Sequence, residues 1–375
     1  MKIVVRNISK KRLFSVFFRP MIALLSTILF TSANISFANN DEPVTKLIPI
    51  IDYIINDNSD EQTENQFGLD PTLEPWENFD LDDWALDTPA DFATRRDSSR
   101  PFSAENGSLL PDGLSDRTQD FDFVANRLVP GSEPFFYTAP DGGMVFKSTI
   151  DGFRTSTGTN FVRSELREML RRGDRSINTQ GANENNWVLG YQPSNSNNNN
   201  IGGRNGTLTA TLRVNQVTST GDAGQVGRVI IGQIHASDDE PIRLYYRKLP
   251  FNELGGIYFA HELHASLGPS SDILIDMIGS NGRSAPNPEN GIALGELFSY
   301  EIINQGADLI VVIRRGDNDG EIIAETTFDM SESGYDNEDA NEWMYFKAGA
   351  YTQNNTGEGE DFDMVTFYRL NNTHD

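Results

Sequence analysis

The chain has 375 residues, with 30 Lys and Arg against 55 Asp and Glu, a formal net charge of −25 and no cysteine. So acidic a balance argues against sequence-independent nucleic-acid binding, which is driven by neutralising phosphates. The lack of cysteine rules out disulfides, thiolate zinc sites and thiol nucleophiles, and the length suffices for one large domain with a sizeable core.

At the amino terminus, Lys10, Lys11, Arg12 and Arg19 precede an apolar run, Met21 to Phe30, and then Ser36-Phe-Ala38. Basic, then apolar, then small is the order of a secretory signal peptide, and cleavage is expected after Ala38. The run is shorter than the ~20 apolar residues that span a bilayer. Residues 1–38 are therefore read as a leader, the protein as secreted or periplasmic, and stable membrane insertion is not expected. Residues 39–74 read as an acidic linker or tether. Between Asp41 and Asp91 stand fifteen acidic residues and one basic residue, Lys46, the composition of a solvated segment. The apolar patch Leu47–Ile55 interrupts it, as a strand or a helix docking on the main body.

The folded domain is assigned to residues 75–375. Phe79–Trp84 reads as a first strand and Leu86–Pro89 as the turn after it. Strand-like segments then follow at Pro134–Tyr137, Gly143–Lys147, Phe161–Met169, Trp187–Gly190, Gly206–Val214, Val229–His235, Arg243–Lys248, Gly256–His261, Ser271–Ile278, Leu297–Ile303, Leu309–Arg314, Glu321–Asp329, Trp343–Tyr351 and Phe362–Tyr368. Many short alternating segments parted by Gly, Asn, Asp and Pro indicate an all-β chain, a β-sandwich or jelly roll.

Three polar strings sit inside these strands: Arg163–Arg167 (Arg-Ser-Glu-Leu-Arg), Gln233–His235 (Gln-Ile-His) and Tyr345–Tyr351 (Tyr-Phe-Lys-Ala-Gly-Ala-Tyr). Strand period 2 puts Arg163, Glu165 and Arg167 on one face, Gln233 and His235 on one face, and Tyr345, Lys347, Gly349, Tyr351 and Gln353 on one face. Such faces suit the floor of a site for a polar, anionic substrate. Two arginines on one face suit bidentate binding of carboxylate or sulfate, and Arg243, Arg247 and Lys248 add positive charge. Blander readings exist for each: an exposed strand of alternating charges, a hydrogen-bonded structural histidine, an aromatic core strand. Gly349 argues for close approach by a ligand or another strand. His261 and His264 flank Glu262 at i, i+3 on a strand, not the i, i+4 of a zinc helix, so no metal site is assigned. His374, at the carboxyl end, is expected to be disordered.

These strings resemble the alginate lyases of polysaccharide lyase family seven, which carry Arg-Ser/Thr-Glu-Leu/Val-Arg, Gln-Ile/Val-His and Tyr-Phe-Lys-Ala-Gly-Val/Ile-Tyr-Asn-Gln in this order. Ala350 and Thr352 depart from the pattern, both on the face opposite Tyr351. The likeness extends over roughly residues 76–375, including Ala139–Phe146 and Trp187. It implies a β-jelly roll with a concave groove for alginate, a polymer of mannuronate and guluronate, cleaved by β-elimination without metal or cofactor. It further implies that Arg163 and Gln233, with His235 close by, neutralise the uronate carboxylate. Tyr351 is then the acid, and also the base on mannuronate, whereas His235 is the base on guluronate. Arg167, Glu165, Lys347, Arg243 and Gln353 would hold neighbouring sugars. Gln-Ile-His points to guluronate-containing blocks, and a monomer is expected. Two other readings compete: a non-catalytic alginate- or polyuronate-binding module, which needs no acid–base pair, and a glycoside hydrolase, for which Glu296 and Glu301 come nearest to the required carboxylate pair.

Overall fold

Alternation of apolar and polar residues builds two antiparallel sheets that share one core. The computed structural model describes residues 4–5, 66–89, 135–152, 154, 159–174, 176–193, 200–269, 271–336 and 341–375. The back sheet contains β1 (Val4–Val5), β3 (Phe136–Thr138), β4 (Met144–Thr149), β8 (Gly206–Gln216), β14 (Leu297–Gln305), β15 (Asp308–Arg315), β16 (Ile322–Asp329) and β18 (Phe362–Thr373), in the order β1-β16-β15-β14-β8-β18-β4-β3. The front sheet contains β2 (Trp84–Asp87), β5 (Arg163–Glu168), β9 (Arg228–His235), β10 (Ile242–Arg247), β11 (Leu254–Glu262), β12 (Asp272–Ile278) and β17 (Tyr345–Thr352). Its order is β12-β11-β10-β9-β17-β5-β2, with β13 (Ile292–Ala293) beside β11. A short parallel pair, β6 (Trp187–Val188) and β7 (Gly203–Arg204), completes the described strands. Two antiparallel sheets packed face to face form the jelly-roll sandwich expected from the sequence.

Inward side chains of both sheets meet in one apolar cluster. Leu166, Ile234, Phe346, Ala348 and Ala350 come from the front sheet, and Leu208, Leu212, Phe298, Tyr300, Val311 and Phe367 from the back. Among the polar contacts between the sheets, the Tyr300 hydroxyl donates to the Ile231 carbonyl at 2.9 Å. A Cβ at Gly232 would lie 2.7 Å from that hydroxyl, so glycine is what lets the two sheets approach there. At this point the β9–β10 register shifts, between Leu244 and Tyr245. Ile231 turns into the main core and Ile230 joins a smaller outer cluster with Tyr245, Tyr258 and Ala260. The bulge thereby aims the next residues, Gln233 and His235, outward.

The first strand differs from its expected position. Phe79–Trp84 is not a strand: Pro75–Asn78 is a single helical turn, Glu77 closes a capping box with Glu74, and a turn at Leu81–Trp84 leads into β2. Strand residues begin at Trp84 and include Leu86 and Asp87, which the sequence assigned to a turn. Residues 67–74, assigned to the tether, already pack on the sandwich: Phe67 lies 5.1 Å from the Tyr368 ring and Thr138 donates to the Leu73 carbonyl. The leader, most of the tether and the patch Leu47–Ile55 lie outside the described residues apart from Val4–Val5, which pairs with Thr326–Thr327.

Candidate active site

The three polar strings fall on three neighbouring strands, β9, β17 and β5. Register aligns them: Lys347 stands between Gln233 and Arg167, Tyr345 faces His235, Gly349 faces Glu165, and Tyr351 faces Arg163. Gly349 adopts φ +150, and a Cβ there would lie 2.5 Å from the Ser164 carbonyl oxygen and 2.7 Å from the Glu165 Cα. The neighbour that needs this glycine is therefore the adjacent strand, carrying Glu165.

Glu165 is fully buried and organises the patch. It accepts from Lys347 at 2.5 Å, from Arg163 at 3.2 Å and from the Gln233 amide. Burial alone would raise its pKa, but Lys347 and then Arg163 outweigh burial and hold the carboxylate below its ordinary range. Lys347 is in turn pulled down by burial and by neighbouring Arg163. The Gln233 side-chain oxygen, Oε1, is buried and accepts no hydrogen bond.

Aromatic rings support the cations. The Arg163 guanidinium lies 3.7 Å over the Tyr351 ring, and Arg167 lies 4.0 Å over Tyr345. Tyr345 also stacks on His235, 4.9 Å away and 13° from parallel. The His235 Nδ1 is 2.6 Å from the Ala236 carbonyl, so it carries the proton and donates, leaving Nε2 as the basic nitrogen. Burial, then Lys347, takes the imidazole from 6.5 down to about 3, which keeps it neutral at neutral pH. Glu240 lies 3.3 Å from Nε2 without a hydrogen bond to it, so the resting ring is not held as an imidazolium, and the carboxylate favours that form only once a proton arrives. Tyr351 is half-buried, packed against the Ile230–Tyr245–Tyr258 cluster and edge-on to Phe161.

Arg163, Glu165, Gln233, His235, Lys347 and Tyr351 are thus brought onto one face. Arg167 shares it, yet its guanidinium donates to the carbonyls of Glu168 and Thr179 and to the Asn186 side chain. Arg243 stands opposite Gln233 on β10, but it pairs with Asp272, Glu262 and Glu240. Gln353 lies beyond the end of β17, where its backbone exchanges hydrogen bonds with Arg228. His261 faces the Pro241 carbonyl and the Ser333 hydroxyl, and His264 faces Glu342 and Ser266. Among the described residues no cluster of three or more His, Asp or Glu is arranged to hold a metal ion.

Sequence reasoning missed Asp87, Glu240 and the carrier role of Tyr345. Asp87 sits opposite Glu165, only 6% exposed, with one carboxylate oxygen unpartnered. Burial raises its pKa against the pull of Lys347 and Arg163. Period 2 from Trp84 would have put Asp87 on this face; the misplaced strand boundary hid it. His374 was expected to be disordered, and the structure corrects this. It is ordered, not frayed, and it bonds Glu168 on the other side of β5.

Residues 79–374 match the family model described as alginate lyase. An alginate lyase from Klebsiella pneumoniae is 46% identical over 307 residues, which cover 80% of this chain and 91% of that one. The crystal structure of an alginate lyase from Klebsiella pneumoniae superposes with a TM-score of 0.69 at 42% identity, covering 81% of this chain and 99% of that chain. An exolytic alginate lyase of polysaccharide lyase family seven from Zobellia galactanivorans shares the fold, with a TM-score of 0.53 at 21% identity over 80% of this chain and 98% of that one. The match covers all three polar strings, so the binding-module and hydrolase readings give way: the chain belongs to the alginate lyase family and is a polysaccharide lyase.

Proposed function

We propose that this protein is an exported alginate lyase of polysaccharide lyase family seven that cuts guluronate-containing blocks by β-elimination. The observation that carries this reading is the adjacency of β9, β17 and β5, with Arg163, Gln233, His235 and Tyr351 on one face. The C5 proton of a uronate is acidified only by its own carboxylate, which resists further negative charge. Arg163 and the Gln233 amide, held by Glu165 before substrate arrives, are preorganised donors for that charge. Neutral His235 accepts the C5 proton from guluronate through Nε2. The C5–H electrons become the C4–C5 double bond, the C4–O4 bond breaks, and Tyr351 delivers a proton to the departing O4. On mannuronate, where proton and leaving group share a side, Tyr351 serves as both base and acid. Glu165 already accepts from Lys347, Arg163 and Gln233, so its part is to hold these three. The leader at residues 1–38 supports export, and β1 would leave with it.

The test is ultraviolet absorbance of the new double bond, measured on guluronate- and mannuronate-enriched alginate. Tyr351→Phe should lower kcat by about 10²- to 10⁴-fold, as loss of an acid–base group does, with the circular dichroism spectrum unchanged. Near-normal turnover in that variant would overturn the assignment. A faster rate on mannuronate blocks would overturn the guluronate preference alone.

A further inference from the structure

Behind the catalytic face, the end of the chain is tied into β5 and β17. Glu168 is the next residue after the first polar string, and its side chain points to the opposite side of β5 from Arg167. It is fully buried and accepts four hydrogen bonds: from His374 Nε2 at 2.7 Å, Asn372 Nδ2 at 2.6 Å, Trp187 Nε1 at 3.0 Å and the Phe346 backbone N–H at 2.9 Å. The last of these matters for the site. Regular β17–β5 pairing runs from Tyr351 only as far as Lys347. Beyond it, the Phe346 N–H on the β5 side is held by the Glu168 carboxylate, while β9 still pairs with Tyr345, Phe346 and Lys347 on the other side.

His374 is built in, not draped on. β18 pairs with β8 up to Thr373, which delivers the ring between Trp187 and Phe346, 5.2 and 5.5 Å away. A Cβ at Gly203 would lie 2.5 Å from the His374 Cβ, and one at Gly206 would lie 2.9 Å from Nδ1, so two glycines make the space. The far nitrogen, Nδ1, faces the Asn205 carbonyl at 2.9 Å. A ring with an acceptor at each nitrogen is satisfied only as the imidazolium.

We propose that His374 and Glu168 form a carboxyl-terminal clasp that fixes Tyr345 and Lys347 on the catalytic face, making His374 a positioning residue for turnover. Tyr345 carries both Arg167 and His235 on its ring, and Lys347 holds Glu165. A shift of the Phe346 amide therefore moves both sides of the site together. This inference rests on that face being the catalytic one.

The clasp is conditional on pH. The groups facing it are Glu168, Asp83 near the start of β2, Arg172 paired with Asp83, Arg167 bonded to the Glu168 carbonyl, and Asp375, whose backbone pairs with Arg204. Burial works against the charged ring, but Glu168, its hydrogen bond and the Asn205 carbonyl raise His374 above its ordinary 6.5. A raised histidine contributes its stabilisation fully below the ordinary value and loses it as pH rises through the folded value.

The test measures kcat and KM on alginate from about pH 6 to about pH 10 for the full chain and for His374→Gln, with histidine Cε1–H NMR titration of the unmodified protein. Removing the clasp's charge should lower kcat roughly tenfold at pH 6, as sub-ångström misplacement of catalytic groups does, with KM nearly constant. The unmodified protein should lose kcat as His374 titrates, and His374→Gln should be flat through that window. A folded His374→Gln that follows the unmodified profile, or changes only KM, would overturn the clasp. So would a His374 already neutral at pH 6. Should His374→Gln not fold, coincidence or non-coincidence of the NMR midpoint and the kcat midpoint in the unmodified protein decides alone. Full turnover in Tyr351→Phe would instead sink the reading of the catalytic face; an inactive Tyr351→Phe beside an unaffected His374→Gln would sink only the clasp.

Discussion

Glu165 and Glu168 lie three residues apart on β5, on opposite faces, and neither is exposed to solvent. Burial pushes both carboxyls toward the neutral form, and in both the partners win. The partners differ in kind. Glu165 is held by Arg163, a guanidinium charged at every physiological pH, by Lys347, whose pKa burial pulls down, and by Gln233. Glu168 is held by His374, whose charge depends on pH, together with three neutral donors. Two equivalent letters in Arg-Ser-Glu-Leu-Arg-Glu thus become an organiser of the proposed catalytic face, anchored by Arg163 at every physiological pH, and a pH-dependent brace behind it. The lesson is that a buried carboxylate is defined by the titration behaviour of its partners as much as by its own.

Breaking the member anchored by Arg163 should have the largest effect. Glu165→Gln leaves Lys347 and Arg163 buried beside a neutral amide, and removing one partner of a buried ion pair costs about 3–5 kcal/mol. Urea unfolding should register that loss at every pH from about 6 to about 9, and kcat/KM should fall by at least about 10²-fold, since three groups of the catalytic face lose their anchor. A stability loss that faded toward high pH would mean that Glu165, too, depends on a titrating partner.

A third buried carboxyl sharpens the comparison, because no cation bonds it. Asp363 receives the Thr218 backbone N–H at 2.8 Å and lies 2.6 Å from the Thr352 hydroxyl. That hydroxyl also lies 3.1 Å from the Ser148 carbonyl, and it has one proton to give. A protonated Asp363 resolves the conflict by donating to Thr352 while Thr352 donates to Ser148. Burial accordingly raises Asp363 to about 7 from 3.8. A raised acid contributes stability that is full below its unfolded value and lost as pH rises through the folded one. Stability should therefore fall by roughly 4 kcal/mol between about pH 4 and about pH 8 on this account. Asp363→Asn should remove that slope; an unchanged slope would assign the pH dependence elsewhere.

Thr352 was legible in the sequence only as a departure from the family pattern on the face opposite Tyr351, and its link to Asp363 spans both sheets. That is typical of what could and could not be read. Period 2 is a local rule, so the shared faces of Arg163–Arg167, Gln233–His235 and Tyr345–Tyr351 were visible, as were most strands. Which strands neighbour each other is not local, and the order β9-β17-β5 came only from the structure. His374 illustrates the same limit: a terminal residue has no pattern around it, and its partners, Glu168 and Asn205, lie 206 and 169 residues away. Asp87 was lost for a different reason. Three acidic residues at Asp80, Asp82 and Asp83 resemble strand alternation, but they belong to the turn that precedes β2.

The smallest effect is expected where the cation is already crowded by acids. Arg243 faces Gln233 on the neighbouring strand, and its position on the catalytic face suggests a sugar-holding role. Its guanidinium, however, bonds Asp272 and lies 3.7 Å from Glu262 and 3.9 Å from Glu240. Arg243 is 18% and Asp272 41% exposed, so the bonded pair is partly solvated, and a pair of that kind contributes about 0–1 kcal/mol. Arg243→Gln should thus change stability by less than about 1 kcal/mol and leave KM within roughly twofold, because uniform binding appears in KM only where the group is free to meet substrate. Its kcat should fall slightly if Glu240, released from Arg243, leans further toward His235. A KM raised tenfold at constant kcat would mean that the polyanion displaces three carboxylates to reach this arginine, and the catalytic face would then extend across β10.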